Sequence, residues 1–221
     1  MEMSEKGMRK RLAIIGSNDL ARLIAYHASE DAGLDIAGFF DNHKETGTRI
    51  EKFGQVLGDL EKIEQLYAER KFDLLMIGVG YTQFKFRKDS FDRFFDKIPF
   101  ANVIHSTSFV DKSCKLGTGI FILPGNTLDT GVVIGNNVVL NTGCTVAHDT
   151  KIQNHCFLSP AVSIAGFADI GKSCLLGIGT IVIDNVKICD DTQTGGGAVV
   201  TQNIEEAGLY LGVPAKLYRK F

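Results

Sequence analysis

The chain has 221 residues, 44% of them hydrophobic, with 24 Lys and Arg against 26 Asp and Glu, a formal net charge of −2. That length and apolar content suit one large or two small domains with real cores, and the near-neutral balance offers no basic field for nucleic acid or an anionic membrane. No apolar stretch reaches the ~18 residues of a membrane span, and the charged start from Met1 to Arg11 lacks a signal-peptide core, so a cytoplasmic location is expected. The five cysteines, Cys114, Cys144, Cys156, Cys174 and Cys189, are odd in number and contain no CxxC pair. A disulfide framework and a zinc knuckle are set aside, and no metal is expected.

Up to about Asn102, short apolar runs alternate with amphipathic stretches. The pattern predicts a strand over residues 12–15, a helix over 20–32, a strand over 35–40 and a helix over 60–70. A buried strand over 72–78 follows, then a helix over 84–97 with Phe84, Phe91, Phe94 and Phe95 turned to a core. Strands alternating with helices imply a small parallel sheet with βαβ crossovers, and such sheets bind ligands beyond the carboxyl ends of their strands. Gly16-Ser17-Asn18-Asp19 follows the first strand and opens the first helix, where free N–H groups suit a pyrophosphate, although the stretch is not GxGxxG. Asp41-Asn42 and Gly78-Val79-Gly80 end the next two strands at the same edge. The basic run Lys85-Phe86-Arg87-Lys88 reads as a solvated helix face, and His27 and His43 carry no pattern.

The period then changes. Stepping by six from Ile104 through Val110 and Leu116 to Val182 and Ile188 meets fifteen consecutive Ile, Leu or Val residues, although these types make up only 54 of the 221. Three six-residue units, each a short strand and a turn, close a triangular coil whose aliphatics point to the axis. Four positions after the aliphatics the residues are small or β-branched, and Cys114, Cys144, Cys156 and Cys174 all fall in that slot as small buried hydrophobes. Gly117, Gly135, Gly171, Gly177 and Gly195 turn corners where a Cβ would clash. The register is expected to break at Thr194.

The array, the segments Leu140-Asn141-Thr142-Gly143 and Val146-Ala147-His148-Asp149, the run Gly195 to Gly197 and the ending Gly212-Val213-Pro214-Ala215-Lys216 carry a resemblance. With the βαβ unit before them, they resemble the hexapeptide acyltransferases of nucleotide-linked amino sugars, of the bacillosamine N-acetyltransferase and sialic-acid O-acetyltransferase type. The resemblance covers nearly the whole chain. It implies an α/β, Rossmann-like βαβ domain over residues 1–102 that holds the nucleotide, then an all-β left-handed parallel β-helix over 103–221. It also implies a homotrimer with active sites in the clefts between neighbouring coils. Because the aliphatic register fills each coil and leaves its outer faces to be covered, the β-helices are expected at the trimer's centre with the βαβ domains splayed at one end. Acetyl-CoA would be the co-substrate and a nucleotide-linked amino sugar the acceptor.

Acyl transfer to an amine needs a base, a donor for the developing oxyanion and a groove for the carrier. His148 lies two residues after the inward Val146, at a position expected to face outward, and Asp149 follows it. The resemblance implies that His148 is the catalytic base and that Asp149 raises its basicity. Asn141, one hexad upstream, is expected beside His148 across a corner of the coil, where it would hold the acceptor. The resemblance further implies that the Gly166 N–H meets the oxyanion and that pantetheine runs past Ile178 and Gly196 to Lys216. Phe157 stands where the family often has a second His for coenzyme A; His155, two residues earlier, reads as a surface or groove residue. His105 reads as structural. Gly16, Asn18, Asp19, Asp41, Asn42 and Gly78 would bind the nucleotide sugar rather than NAD.

An O-acetyltransferase of the sialic-acid type and a non-enzymatic hexapeptide scaffold are the alternatives. A γ-type carbonic anhydrase needs three histidines on zinc, and only His148 and His155 fall near one another in the array. A sugar nucleotidyltransferase needs a Gly- and Arg-rich phosphate loop near the start, which the sequence lacks.

Overall fold

The computed structural model describes residues 9–221. Its first half is a parallel sheet of order β3-β2-β1-β4, made of β1 (Arg11–Ile15), β2 (Asp35–Phe40), β3 (Val56–Gly58) and β4 (Leu74–Ile77). The central β1 is fully buried from Leu12 to Ile15, as expected of a parallel strand covered on both faces. Helix α1 (Asp19–Glu30) buries Ala21, Ile24, Ala25 and Ala28, the i, i+3, i+4, i+7 stripe of an amphipathic helix. The expected second helix is a 3-10 turn at Leu60–Lys62 followed by α2 (Ile63–Ala68). The edge strand β3 is three residues long, too short to show alternation in sequence.

Helix α3 (Phe84–Phe94) departs from expectation on its buried stripe. Phe91 and Phe94 are buried but Phe95 is exposed, and the rest of the stripe is made by Ser90 and by Arg87, which is 1% exposed. Lys85 and Lys88 stay on the solvated face, so that reading of the basic run holds for them and fails for Arg87.

From Val103 onward the chain is a parallel β-helix of two-residue strands on three faces. Val133 pairs with Lys151 and Ile134 with Ile152, a spacing of eighteen residues that recurs from coil to coil. The first face begins at Val103–Ile104, the second at Phe109–Val110 and the third at Lys115–Leu116, giving sheets of eight, six and five strands. The predicted aliphatics line the axis from Ile122 to Ile188 in one core, with Cys144, Cys156 and Cys174 wholly buried among them and Cys114 partly so. Burial pushes the Cys144 thiol up to about 11, consistent with an inert packing role.

The register does not break at Thr194. Ile181 pairs with Val199 and Val182 with Val200, and Thr194 itself points inward, 4% exposed. A count of aliphatics misses it because Thr194 satisfies its hydroxyl inside the coil, 2.7 Å from the Thr180 hydroxyl and accepting from Gly177 N–H. The last strand, Lys216–Lys220, runs antiparallel to Gly208–Leu211 and closes the first sheet.

The α/β half lies along the side of the coil rather than at its end. Outward residues of the first face, Val103, Phe121, Val139, Phe157 and Leu175, pack with α1 and the sheet in one core. Each large apolar side chain so buried contributes on the order of 2 kcal/mol to holding the halves together. The third face presents Lys115, Lys151, Asp169 and Lys187 to solvent. The second face is uncharged, with Phe109, Thr127, Thr145, Ser163, Ile181 and Val199 pointing outward; Phe109 is 57% and Ile181 45% exposed. No helix among the described residues is long and apolar enough to cross a membrane.

Candidate active site

A cavity of about 560 Å³ opens where β1, β2 and β4 end. Gly16, Asn18, Asp19, Asp41, Asn42 and Gly78 all line it. Gly16 makes the first turn at φ +93° while its N–H bonds to Phe40 O, tying the strand ends together. Gly78 leaves room for α1, since a Cβ there would sit 2.6 Å from Ala21 Cβ. Asn18 caps α1 without using its side chain, whose Oδ1 accepts from Lys44 Nζ at 3.2 Å. Asp41 accepts from the Ser17 hydroxyl and from His43 N–H. The other two side chains are also engaged within the protein: Asp19 pairs with Arg22, and Asn42 Oδ1 accepts from Leu60 N–H.

Sequence reading missed Lys44, which brings a cation across the mouth of the first turn, and Tyr81, which forms an aromatic wall. Lys44 could have been suspected from its place just after Asp41-Asn42. Phe157 is a correction. Its ring enters this cavity from the coil, 4% exposed and edge-on to Tyr81 at 5.7 Å, so it belongs to the seam between the halves and not to a carrier groove with His148. It is turned that way because it is an outward residue of the first face.

His148 sits at the edge between the second and third faces, after the strand Thr145–Val146 and before Lys151–Ile152. Its Nδ1 is 3.1 Å from Asp149 Oδ2, with both side chains about half exposed. Asp149 takes the left-handed corner conformation, φ +57°, and this swings its carboxylate back to the imidazole. One coil further on lies Gly166, where a Cβ would stand 2.9 Å from His148 Nε2; Phe167 holds the ring edge-on at 5.0 Å. An Nδ1–H donated to Asp149 leaves Nε2 as the nitrogen with the free lone pair.

Gly166 therefore makes room for the imidazole, and its N–H is not free: it donates to Asp184 Oδ1 at 3.1 Å. The oxyanion role expected for that amide is replaced by a steric one. Asn141 is not beside His148 either. It lies at the edge between the first and second faces, after the strand Val139–Leu140, with its Oδ1 accepting from Thr142 N–H. Ile178 and Gly196 share that edge, linked by Gly197 N–H to Ile178 O at 2.7 Å. Lys216 follows Ala215, whose N–H bonds to Val199 O at 2.7 Å, so it continues the same strip. Within one chain the second face separates His148 and Gly166 from Asn141, Ile178, Gly196 and Lys216.

Two histidine groups lie outside this arrangement. His27, Asp31 and His105 bring their ligand atoms within 4.8 Å of one another where α1 meets the first coil. Thr107 N–H donates to His105 Nδ1, so the ring proton sits on Nε2, facing Asp31. A metal at Nε2 would require that proton on Nδ1, against the Thr107 N–H, and the group is instead a carboxylate clamp. Burial raises the Asp31 carboxyl, but hydrogen bonds from the Ser106 hydroxyl, His27 and Ser106 N–H hold it at about 2. His155 is packed between Phe91 and Asn137 with Asp92 at 3.3 Å, and burial lowers its pKa; it is buried rather than a surface residue.

No family model matches the sequence. Among curated proteins, UDP-3-O-acylglucosamine N-acyltransferase of Bordetella pertussis is 39% identical over 56 residues, a segment covering 25% of this chain and only 15% of that relative. The solved structures are more informative. A variant of perosamine N-acetyltransferase from Caulobacter crescentus, in complex with CoA and GDP-perosamine, superposes with a TM-score of 0.85 at 29% identity, covering 93% of this chain and 95% of that one. The acetyltransferase domain of PglB from Neisseria gonorrhoeae shares the fold, with a TM-score of 0.85 at 23% identity over 94% of this chain and 99% of its own. A parallel β-helix with an α/β half along one face, a cavity at the strand ends and an exposed His-Asp pair make this chain a hexapeptide-repeat acyltransferase. Within that class, the Caulobacter nucleotide-amino-sugar N-acetyltransferase is similar to it over nearly the whole length of both chains.

Proposed function

We propose that the protein transfers the acetyl group of acetyl-CoA to the amine of a nucleotide-linked amino-deoxy sugar, as a homotrimer of left-handed coils in which each site is shared by two copies. The observation that carries the reading is the division of the machinery. The cavity suited to a nucleotide opens on the first face, whereas His148 occupies the edge opposite that face of the triangular coil. One chain cannot bring its own His148 to a sugar held in its own cavity. A neighbour can, and the uncharged second face with exposed Phe109 and Ile181 supplies an apolar surface for it.

In this reading residues 1–102 hold the nucleotide sugar, through Gly16, Asn18, Asp41, Gly78 and Lys44, and residues 103–221 carry the transfer. The acceptor nitrogen attacks the thioester carbonyl, and His148 Nε2 takes its proton while Asp149 steadies the imidazolium. The C–S bond breaks, the thiolate recovers a proton, and the amide remains on the sugar. The strip of Asn141, Ile178, Gly196 and Lys216 forms the second wall of the cleft, where the carrier runs. An amine suits a single His base better than a hydroxyl, which demands more activation. Support comes from the Caulobacter enzyme, solved with CoA and GDP-perosamine bound.

The test is thiol release from acetyl-CoA with matched GDP-, UDP- and dTDP-linked sugars bearing either an amine or a hydroxyl at the reacting carbon. Release dependent on an amino sugar and on its nucleotide is expected. Equal rates with the free sugar, or preference for the hydroxyl, would overturn the assignment.

A further inference from the structure

Among the described residues Arg87 is one of the largest side chains wholly buried, and no carboxylate lies within ion-pair distance of it. Its guanidinium donates to the carbonyls of Ile77 at 3.2 Å, Val79 at 3.3 Å and, across the seam, Asn137 at 3.0 Å, while Nε finds no partner. Burial lowers its pKa to about 9, which still leaves it charged at neutral pH. A buried cation without an anion costs several kcal/mol unless something compensates it. A staple between β4 and the coil could be made by a neutral donor at less cost. The charge itself calls for a reason.

The position of its acceptors supplies one. Ile77 and Val79 flank Gly78 at the end of β4, and Gly78, Val79 and Gly80 line the strand-end cavity. A trans peptide directs its C=O and N–H to opposite sides. With Val79 C=O held on the guanidinium, Gly80 N–H points away from Arg87, and it has no acceptor among the described residues. Among the described residues Lys44 is the only Lys or Arg lining the cavity, against Asp19 and Asp41.

We propose that Arg87 is the buried counter-charge of the cavity: acting through the Val79–Gly80 peptide, it favours the diphosphate of the nucleotide at Gly80 N–H. Arg87 is thus a positioning residue, and the inference rests on the nucleotide-sugar reading above. It predicts a loss specific to charged ligands. A mere staple would weaken nucleosides and nucleoside diphosphates alike.

The experiment compares the dissociation constants of GDP, UDP and dTDP with those of guanosine, uridine and thymidine for the full chain. Arg87→Gln should lower diphosphate affinity by about tenfold or more and leave nucleoside affinity within about twofold, with Arg87→Lys recovering most of the loss. Gly80→Pro is a second, independent variant. Gly80 has φ −78°, within proline's range, and nothing lies within 4 Å of the place a Cβ would take, so the backbone angle and the Cβ site both accept proline, which removes the N–H. It should show the same selective loss even if Arg87→Gln does not fold. Equal losses for nucleoside and diphosphate, or none in either variant, would overturn the role of Arg87 while leaving the nucleotide reading intact. A wild-type protein that binds no nucleoside diphosphate would overturn both.

Discussion

The two halves of the molecule organise their functional residues in opposite ways. In the α/β half, residues far apart in sequence, Gly16, Asp41 and Gly78, converge on one cavity because three parallel strands end together. In the coil, residues close in sequence are driven apart: Asn141 and His148 lie on different edges because one strand and a corner intervene. Convergence gives the first half a complete pocket. Divergence leaves the second half with its candidate residues on two separate edges, which the proposed reading joins through another copy.

The sharpest way to break this comparison is to remove the base. His148→Ala should lower turnover by about two to four orders of magnitude, the range of a positioned acid-base group, with nucleotide binding unchanged. Turnover near that of the wild type would dismiss His148. Gly166→Ala should cost about ten- to a hundredfold, since the added methyl would meet the imidazole at 2.9 Å. Its effect should fall on turnover, and an unchanged rate would show that the ring has room to move. Lys44→Met acts on the other half. It should weaken nucleotide-sugar binding by about tenfold and spare acetyl-CoA, as equilibrium titration of each ligand would show.

The smallest expected effect concerns the clamp between the halves. Asp31 has a folded pKa of about 2, below the ~3.9 of a free Asp, so it contributes stability above pH ~4 that is lost as pH falls toward 2. Asp31→Asn should lower the melting temperature at pH 7 and flatten the acid limb of a stability profile between pH 4 and 2. An unaltered limb would show that Asp31 is not the group responsible.

What the sequence reveals of all this follows the same division. The coil is legible almost to the residue, because every sixth position repeats one physical demand, an aliphatic toward the axis. The exception at Thr194 arises where two hydroxyls, Thr180 and Thr194, satisfy each other inside the core. Strand-end turns are also legible, since Gly16, Asp41 and Gly78 each close a buried run. Pairings made only in three dimensions stay hidden. Nothing in the run Lys85 to Lys88 distinguishes the buried Arg87 from its solvated neighbours, and the i, i+4 pair His27–Asp31 gives no sign of the distant His105 that joins it. Family resemblance puts Phe157 in a carrier groove, and its outward place on the first face carries it instead into the seam.

The central claim is that the cavity of one copy is served by His148 of another, and mixing two disabled variants tests it most directly. His148→Ala retains the cavity, and Asp41→Ala combined with Lys44→Met retains the base. Each should be nearly inactive alone. Co-refolded in equal amounts, randomly assembled trimers place an intact cavity against an intact His148 in about a quarter of their sites, so activity should return to about a quarter of the wild-type value. A mixture that stays as inactive as its components, although shown to co-assemble, would mean that each chain completes its own site, contrary to this account.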